Sequence, residues 1–342
     1  MSGSAAVLVA DRSQAVRAVL RRLLEAAPGI EVIADVADGR EAARLACEKK
    51  PLAVVLDLDL PSLSGRALVE RIASRSRVPI FALAPRRDTA GAKIAMGLSN
   101  LGVAAVFHKP ETPEEWKALG HTLSEALRQV SPGLAATAAS SVEADDTPVV
   151  SRELRYVAIG GSTGGPGAVF DLLAALGRRH KLGLAVVQHI AVGFETALTE
   201  WLAAELGMDV AIARHGEHLA KGTVRVAPAD HHLSIDGGGK LRLDRRGAPV
   251  AGHRPSVEVL FKSLLAQPAN RVAAVLLSGM GSDGASAMAE LRGANVLTVA
   301  QDEASCAVFG MPRAAIEGRA AALALAPPQI GRLLARAGGA RR

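Results

Sequence analysis

Aromatic side chains make up only 3% of the 342 residues, so any core this chain builds has to be filled by Ala, Val and Leu. Cysteine is nearly absent. Cys47 and Cys306 stand far apart in apolar contexts, which excludes a disulfide framework and a thiolate metal site and predicts two buried thiols. No apolar run approaches the roughly 18 residues that a membrane-crossing helix needs. The N-terminus lacks the basic segment and long apolar stretch of a secretory signal, so a cytoplasmic protein is expected. The formal charge of +6 is not gathered into a long basic run, nor interleaved with aromatics. It allows an acidic partner without pointing to nucleic acid. The closing stretch from Arg336 to Arg342 reads as a solvated tail.

What is present is ample core material: 49% of the residues are apolar and 22% charged, and the length predicts two or three domains. Residues 5–130 alternate short apolar runs with amphipathic stretches. Strands are expected at Ala5–Ala10, Ile30–Val36, Leu52–Asp57, Val78–Ala84 and Val103–Phe107. A helix is expected at Val16–Ala26, where Val16, Val19, Leu20, Leu23 and Leu24 share a face. Five βα repeats with short loops imply a parallel sheet covered on both sides, with its polar site at the carboxyl ends of the strands. Asp11, Asp57 and Lys109 fall at such ends.

These residues, with Leu56-Asp57-Leu58-Asp59-Leu60-Pro61, Gly65 and Lys109-Pro110, make residues 1–130 resemble a response-regulator receiver domain, a flavodoxin-like fold. The resemblance implies Asp57 as phosphoacceptor, with Asp11 and Lys109 beside it and a Mg²⁺ ion offsetting the phosphate charge. Two positions depart from that pattern. Arg12 stands where a second acid is usual, and a cation there repels Mg²⁺. Ala84 stands where a hydroxyl residue usually reads the phosphate. The expectation is a degenerate receiver that takes up phosphate poorly or not at all, with Arg12 pairing with Asp57 in place of the metal. The alternative is an inherited, satisfied polar cluster. Residues 131–150, small and polar between Pro132 and Pro148, have the composition of a flexible linker.

A second α/β pattern fills residues 151–342. It opens on Val157-Ala158-Ile159-Gly160-Gly161-Ser162-Thr163-Gly164-Gly165, an apolar strand running into a glycine-rich elbow whose glycines let the chain turn. Gly160-x-Ser162-x-Gly164 fits the nucleophile elbow of Ser hydrolases, although such elbows also bind phosphate. The Gly-x-Gly-x-x-Gly spacing of dinucleotide sites is missing, because Ser162 takes the middle glycine position. Leu184–Gln188 ends in His189, and Val272–Leu277 runs into a glycine-rich loop carrying Met280 and Asp283. Further elements are expected at Leu154–Gly160, Pro166–Leu176, Phe194–Leu206, Val224–Leu243, Ser256–Leu265 and Asn295–Ala300. Three strands thus end near Ser162, His189 and Asp283, the residue types acyl transfer needs: a nucleophile, a base and a group that orients the base. His215, His218, His231 and His232 read as surface or turn residues, with no cluster suited to a metal. The order Ser, His, Asp argues against the α/β-hydrolases, where the acid precedes the histidine.

Seven blocks make residues 154–318 closely resemble the catalytic domain of chemotaxis protein-glutamate methylesterases of the CheB type. They are Ile159–Pro166, Gln188-His189, Gly222–Pro228, Gly252–Val257, Ser278–Gly284, Ala300–Cys306 and Phe309–Pro312. A receiver ahead of a linker is also that family's arrangement. The resemblance implies a doubly wound, mostly parallel α/β domain, with Ser162 as nucleophile, His189 as base and Asp283 as orienting acid. It also implies Thr163 and Met280 amides in an oxyanion hole and His253–Ser256 lining the cleft. The implied activity is hydrolysis of glutamate γ-methyl esters on chemoreceptor signalling helices, with glutamine deamidation as a side activity and no cofactor for catalysis. A chemotaxis histidine kinase is the implied partner of the receiver, and a monomer is expected. Ala191 and Ser282 depart from the family's usual residues without touching the triad. A docking module with vestigial activity and a small-molecule Ser esterase are the competing readings.

Overall fold

A computed structural model describes residues 4–76, 78–84, 97–130 and 153–338. The chain divides into two compact units, residues 1–139 and 140–342. The expected linker at 131–150 lies outside the described residues.

The first unit runs β1 (Ala5–Ala10), α1 (Gln14–Glu25), β2 (Ile30–Val36), α2 (Gly39–Lys49), β3 (Ala53–Asp57), α3 (Gly65–Ala73), β4 (Ile80–Ala84), β5 (Val103–His108) and α4 (Pro113–Arg128). The strands form one sheet in the order β2-β1-β3-β4-β5, every pair parallel. The central strands β3 and β4 are buried throughout, as a sheet covered on both faces requires. Helix starts follow the local chemistry. The Ser13 hydroxyl accepts the Val16 N–H at the head of α1. Thr112 and Glu115 form a reciprocal capping box at the head of α4, with Pro113 at its first turn.

The second unit runs β6 (Tyr156–Gly161), α5 (Gly165–Leu176), β7 (Gly183–Gln188), α6 (Phe194–Leu206), β8 (Asp209–Ile212), β9 (Thr223–Val226), β10 (His232–Ile235), β11 (Leu241–Asp244), α7 (Val257–Ser263), β12 (Val272–Leu276), α8 (Ala285–Gly293), β13 (Leu297–Gln301), α9 (Met311–Glu317), β14 (Leu323–Leu325) and α10 (Pro327–Ala337). Seven strands make a parallel sheet in the order β14-β13-β12-β6-β7-β9-β8, and β10-β11 is a separate antiparallel hairpin. The chain starts at β6, moves outward through β7 on one side, then returns to β12 on the other. The crevice at that reversal is where open parallel sheets place their sites.

The structure corrects several sequence expectations. The glycines of the elbow are not all there to turn the chain. Only Gly164 adopts a left-handed φ, +81°. Gly160 lies within β6, and a Cβ there would overlap the methyl groups of Val257. Its smallness lets α7 pack directly onto the sheet. The final residues are not wholly a tail either. Arg336 and Ala337 close α10, and Ala337 is buried beside Leu333 and Leu334. His232 is buried within β10 at 4% exposure, because the hairpin folds it inward. Cys306 is buried as expected, whereas Cys47 is half-buried on α2.

Gly160→Ala is therefore expected to destabilise the second unit by about 1–3 kcal/mol, the scale of overpacking in a core with no room to relax. Chemical denaturation of the full chain checks it, and an unchanged midpoint would contradict the close packing of β6 on α7.

Candidate active site

Adjacent strands bring the three loops together by their backbones. Gly161 pairs with Gln188 and Gly160 with Leu276. Beyond the strands, His189 N–H donates to the Gly161 carbonyl at 2.9 Å, Leu277 N–H to Gly160 at 2.8 Å, and Ser162 N–H to Ser278 at 3.0 Å. The turns carrying Ser162, His189 and Asp283 are thus fastened to β6 before any side chain interacts.

His189 and Asp283 meet. His189 Nε2 lies 2.9 Å from Asp283 Oδ2, and the two side chains are 10% and 1% exposed. The approach is off the line of a well-formed hydrogen bond, and Nδ1 has no hydrogen-bond partner among the described residues. Asp283 also accepts from Ser256 Oγ at 2.8 Å and from the amides of Val257 at 2.8 Å and Glu258 at 3.0 Å. Burial by itself would raise its pKa. The His189 contact and the two amides outweigh that and hold the carboxyl below the usual carboxylate range. Asp283 therefore stays an anion while almost out of water.

Ser162 is half-buried at the head of the turn. Among the described residues no hydrogen bond joins its hydroxyl to His189. A long serine–histidine separation is common before substrate closes the site. The N–H groups of Thr163 and Met280 have no acceptor among the described residues. Their directions are nonetheless fixed through their peptide planes. The Ser162 carbonyl accepts from Gln188 Nε2 at 2.6 Å and from Gly165 N–H at 2.8 Å. The Gly279 carbonyl accepts from Gly310 at 3.0 Å and Met311 at 2.8 Å. In a planar trans peptide the N–H points opposite to the carbonyl. Pinning those two carbonyls therefore aims the Thr163 and Met280 amides, as an oxyanion hole demands.

The His189 ring stacks on His253, with centroids 3.9 Å apart and planes 12° from parallel. Burial lowers the His253 pKa, the neighbouring His189 lowers it further, and Asp283 offsets part of this. The sequence motif had placed His253 at the cleft but gave no sign of the stack, which depends on the loop between β11 and α7. Gln188 and Ser278 were also missed as supporting residues. A buried glutamine at a strand end was the available signal for the first. For the second it was a serine after an apolar strand, and Ser278 Oγ lies 2.7 Å from the Thr163 carbonyl.

In the first unit Asp11 and Asp57 are fully buried. Lys109 Nζ sits between them, 2.8 Å from Asp11 Oδ2 and 2.6 Å from Asp57 Oδ2. Arg12 does not pair with Asp57. It reaches Asp59 at 2.9 Å, with both side chains about two-thirds exposed. Asp57 is already matched by Lys109, and drawing a guanidinium into that pocket would strip it of water. Ala84 ends β4 at 1% exposure, its carbonyl accepting the Lys109 N–H at 2.8 Å. Two carboxylates thus share one ammonium, and the Arg12 guanidinium lies on Asp59 rather than between them. Among the described residues no group of three or more His, Cys, Asp or Glu side chains could hold a metal ion, and no helix is long and apolar enough to cross a membrane.

The lowered His253 pKa has a stability consequence. Below about pH 6.5 the unfolded chain binds a proton there that the folded chain resists, so stability falls as pH falls through that range. His180, also lowered by burial, acts in the same sense. His253→Gln is expected to flatten part of the fall between pH 7 and pH 5, read from urea midpoints. A slope identical to that of the unsubstituted chain would contradict the depressed His253.

A sequence model of the CheB methylesterase family matches residues 157–334, and one of the response regulator receiver domain matches residues 7–119. A protein-glutamate methylesterase/protein-glutamine glutaminase of Anaeromyxobacter dehalogenans is 38% identical over 91% of this chain and 90% of its own length. Another, of Myxococcus xanthus, is 34% identical over 95% of this chain and 94% of its own length. The crystal structure of the Thermotoga maritima CheB methylesterase catalytic domain superposes with a TM-score of 0.51 at 31% identity, covering 53% of this chain and 97% of that one. The α/β fold with a receiver ahead of the catalytic unit, the strand-end cluster and these matches agree: the chain belongs to the CheB methylesterase family.

Proposed function

We propose that this protein is a protein-glutamate methylesterase that hydrolyses glutamate γ-methyl esters on the cytoplasmic signalling helices of chemoreceptors, and that it also deamidates glutamine there. The observation that carries the chemistry is the buried Asp283 anion against His189, at 2.9 Å, on the loop neighbouring Ser162. In this reading Ser162 Oγ attacks the ester carbonyl as His189 takes its proton. Charge developing on the carbonyl oxygen is met by the Thr163 and Met280 amides, worth about 2.7–4 kcal/mol each where such donors have been removed. His189 returns the proton to the departing methanol. Water, deprotonated by the same ring, then cleaves the acyl-enzyme and leaves a free carboxylate on the receptor. An amide enters the same sequence and leaves as ammonia.

Asp283 supports this cycle by keeping its charge beside the imidazolium that forms at each step. It need not take the proton itself. Ser162→Ala is expected to lower methanol release from methylated receptor membranes by at least about 10³-fold. Unchanged release would sink the esterase reading.

The receiver reading is narrower. The cation set around Asp57, with Lys109 inside, Arg12 outside and Ala84 in place of a hydroxyl, supports weak uptake of Mg²⁺ and phosphoryl groups, whether from a chemotaxis histidine kinase or a small donor. Acetyl phosphate with Mg²⁺ should leave both Asp57 unlabelled and the rate of methanol release unchanged. Stoichiometric, Mg²⁺-dependent labelling of Asp57 would overturn it.

A further inference from the structure

Asp283 is held from one side by the first turn of α7. Ser256 sits at the N-cap position of α7, where a serine hydroxyl ordinarily accepts an amide from the helix's first turn. No such bond forms here. The hydroxyl turns away and donates to Asp283 Oδ1 at 2.8 Å, and the Glu258 amide donates to the same oxygen at 3.0 Å. Val257 N–H and His189 take Oδ2. Asp283 thus replaces the serine as the cap of α7, and the serine becomes a ligand of the carboxylate.

Ser256 is itself anchored. Its N–H donates to His232 Nδ1 at 3.3 Å, and His232 Nε2 lies 3.0 Å from the Ala248 carbonyl. A carbonyl can only accept, so Nε2 carries the hydrogen and Nδ1 is left to accept from Ser256. Both residues are buried, Ser256 at 0% and His232 at 4% exposure, so water cannot stand in for a lost partner. The order of support runs from the Ala248 carbonyl through His232 and Ser256 to Asp283 and His189.

We propose that Ser256 is a positioning residue for the esterase reaction, its hydroxyl locking the Asp283 carboxylate so that Oδ2 faces His189. This rests on reading Ser162, His189 and Asp283 as nucleophile, base and orienting acid. A carboxylate turns about its last bond unless both oxygens are fastened. Without the Ser256 hydroxyl, Oδ1 is held by the Glu258 amide alone, and the alignment of Oδ2 on His189 loosens. Burial keeps Ser256 from touching substrate, so the effect falls on turnover rather than binding.

In the full-length protein, Ser256→Ala is expected to lower kcat for methanol release from methylated receptor membranes about 10-fold or more, the scale of a hydrogen bond to a charged group, with KM unchanged. The same substitution is then made in an Asp283→Ala background, with p-nitrophenyl acetate as a more reactive ester to follow the slower variants. There it should cost less than about twofold, because its partner is gone. Comparable losses in both backgrounds, as general unfolding would give, overturn the proposal, as does an unchanged kcat or a change confined to KM. If Asp283→Ala or Ser162→Ala leaves turnover intact, the triad reading fails and the proposal with it. If both lower turnover strongly while Ser256→Ala is additive with Asp283→Ala, only the positioning role fails.

Discussion

The second unit's site depends on keeping one carboxylate charged where water hardly reaches it. Burying an unpaired anion costs several kcal/mol, so Asp283 is viable only with its oxygens occupied. The chain meets this with short-range dipoles rather than with a lysine or arginine: one hydroxyl, two amides and an imidazole edge. Other features follow from that requirement. The first turn of α7 must lie against the carboxylate, so α7 must lie close on β6. That in turn requires Gly160, because any side chain there would collide with Val257. A glycine two residues before the nucleophile thus serves the acid more directly than the serine.

The first unit solves a related problem differently. Asp11 and Asp57 are as buried as Asp283, and both are matched by the ammonium of Lys109. A lysine is a compact charge on a flexible four-carbon stem, and it can follow whichever carboxylate needs it. Backbone amides cannot. They hold an anion in one orientation, which suits a group whose task is to orient a neighbour through repeated proton transfers.

Much of this could be read in the sequence, for identifiable reasons. Buried parallel strands are short apolar runs, and β1, β2 and α6 match their expected limits residue for residue. Ser162, His189 and Asp283 were visible because each follows such a run, and a parallel sheet collects those ends on one edge. What was not legible depends on contacts between segments distant in the chain. His232 sits in a short hairpin with no strong periodicity, so its burial and its bond to Ser256, 24 residues on, left no local trace. The edge strand β8, Asp209–Ile212, and the Arg12–Asp59 pair were missed for the same reason. Arg12 next to Asp11 reads as a cation aimed at the phosphate pocket. Only the fold shows that its length carries it outward to a solvated partner.

The stacked histidines add a constraint on where the proton can go. Two imidazoles 3.9 Å apart and nearly parallel do not readily carry charge together. During the proposed reaction His189 must become an imidazolium beside the Asp283 carboxylate, 2.9 Å away. Burial and His189 itself favour the uncharged form of His253. A neutral ring lying flat against His189 excludes water from one face without competing for the proton. It also restricts rotation of the His189 ring, which Asp283 by itself, meeting Nε2 off the hydrogen-bond line, would restrain less firmly. The carboxylate meets the edge of the imidazole, and the stacked ring covers its face.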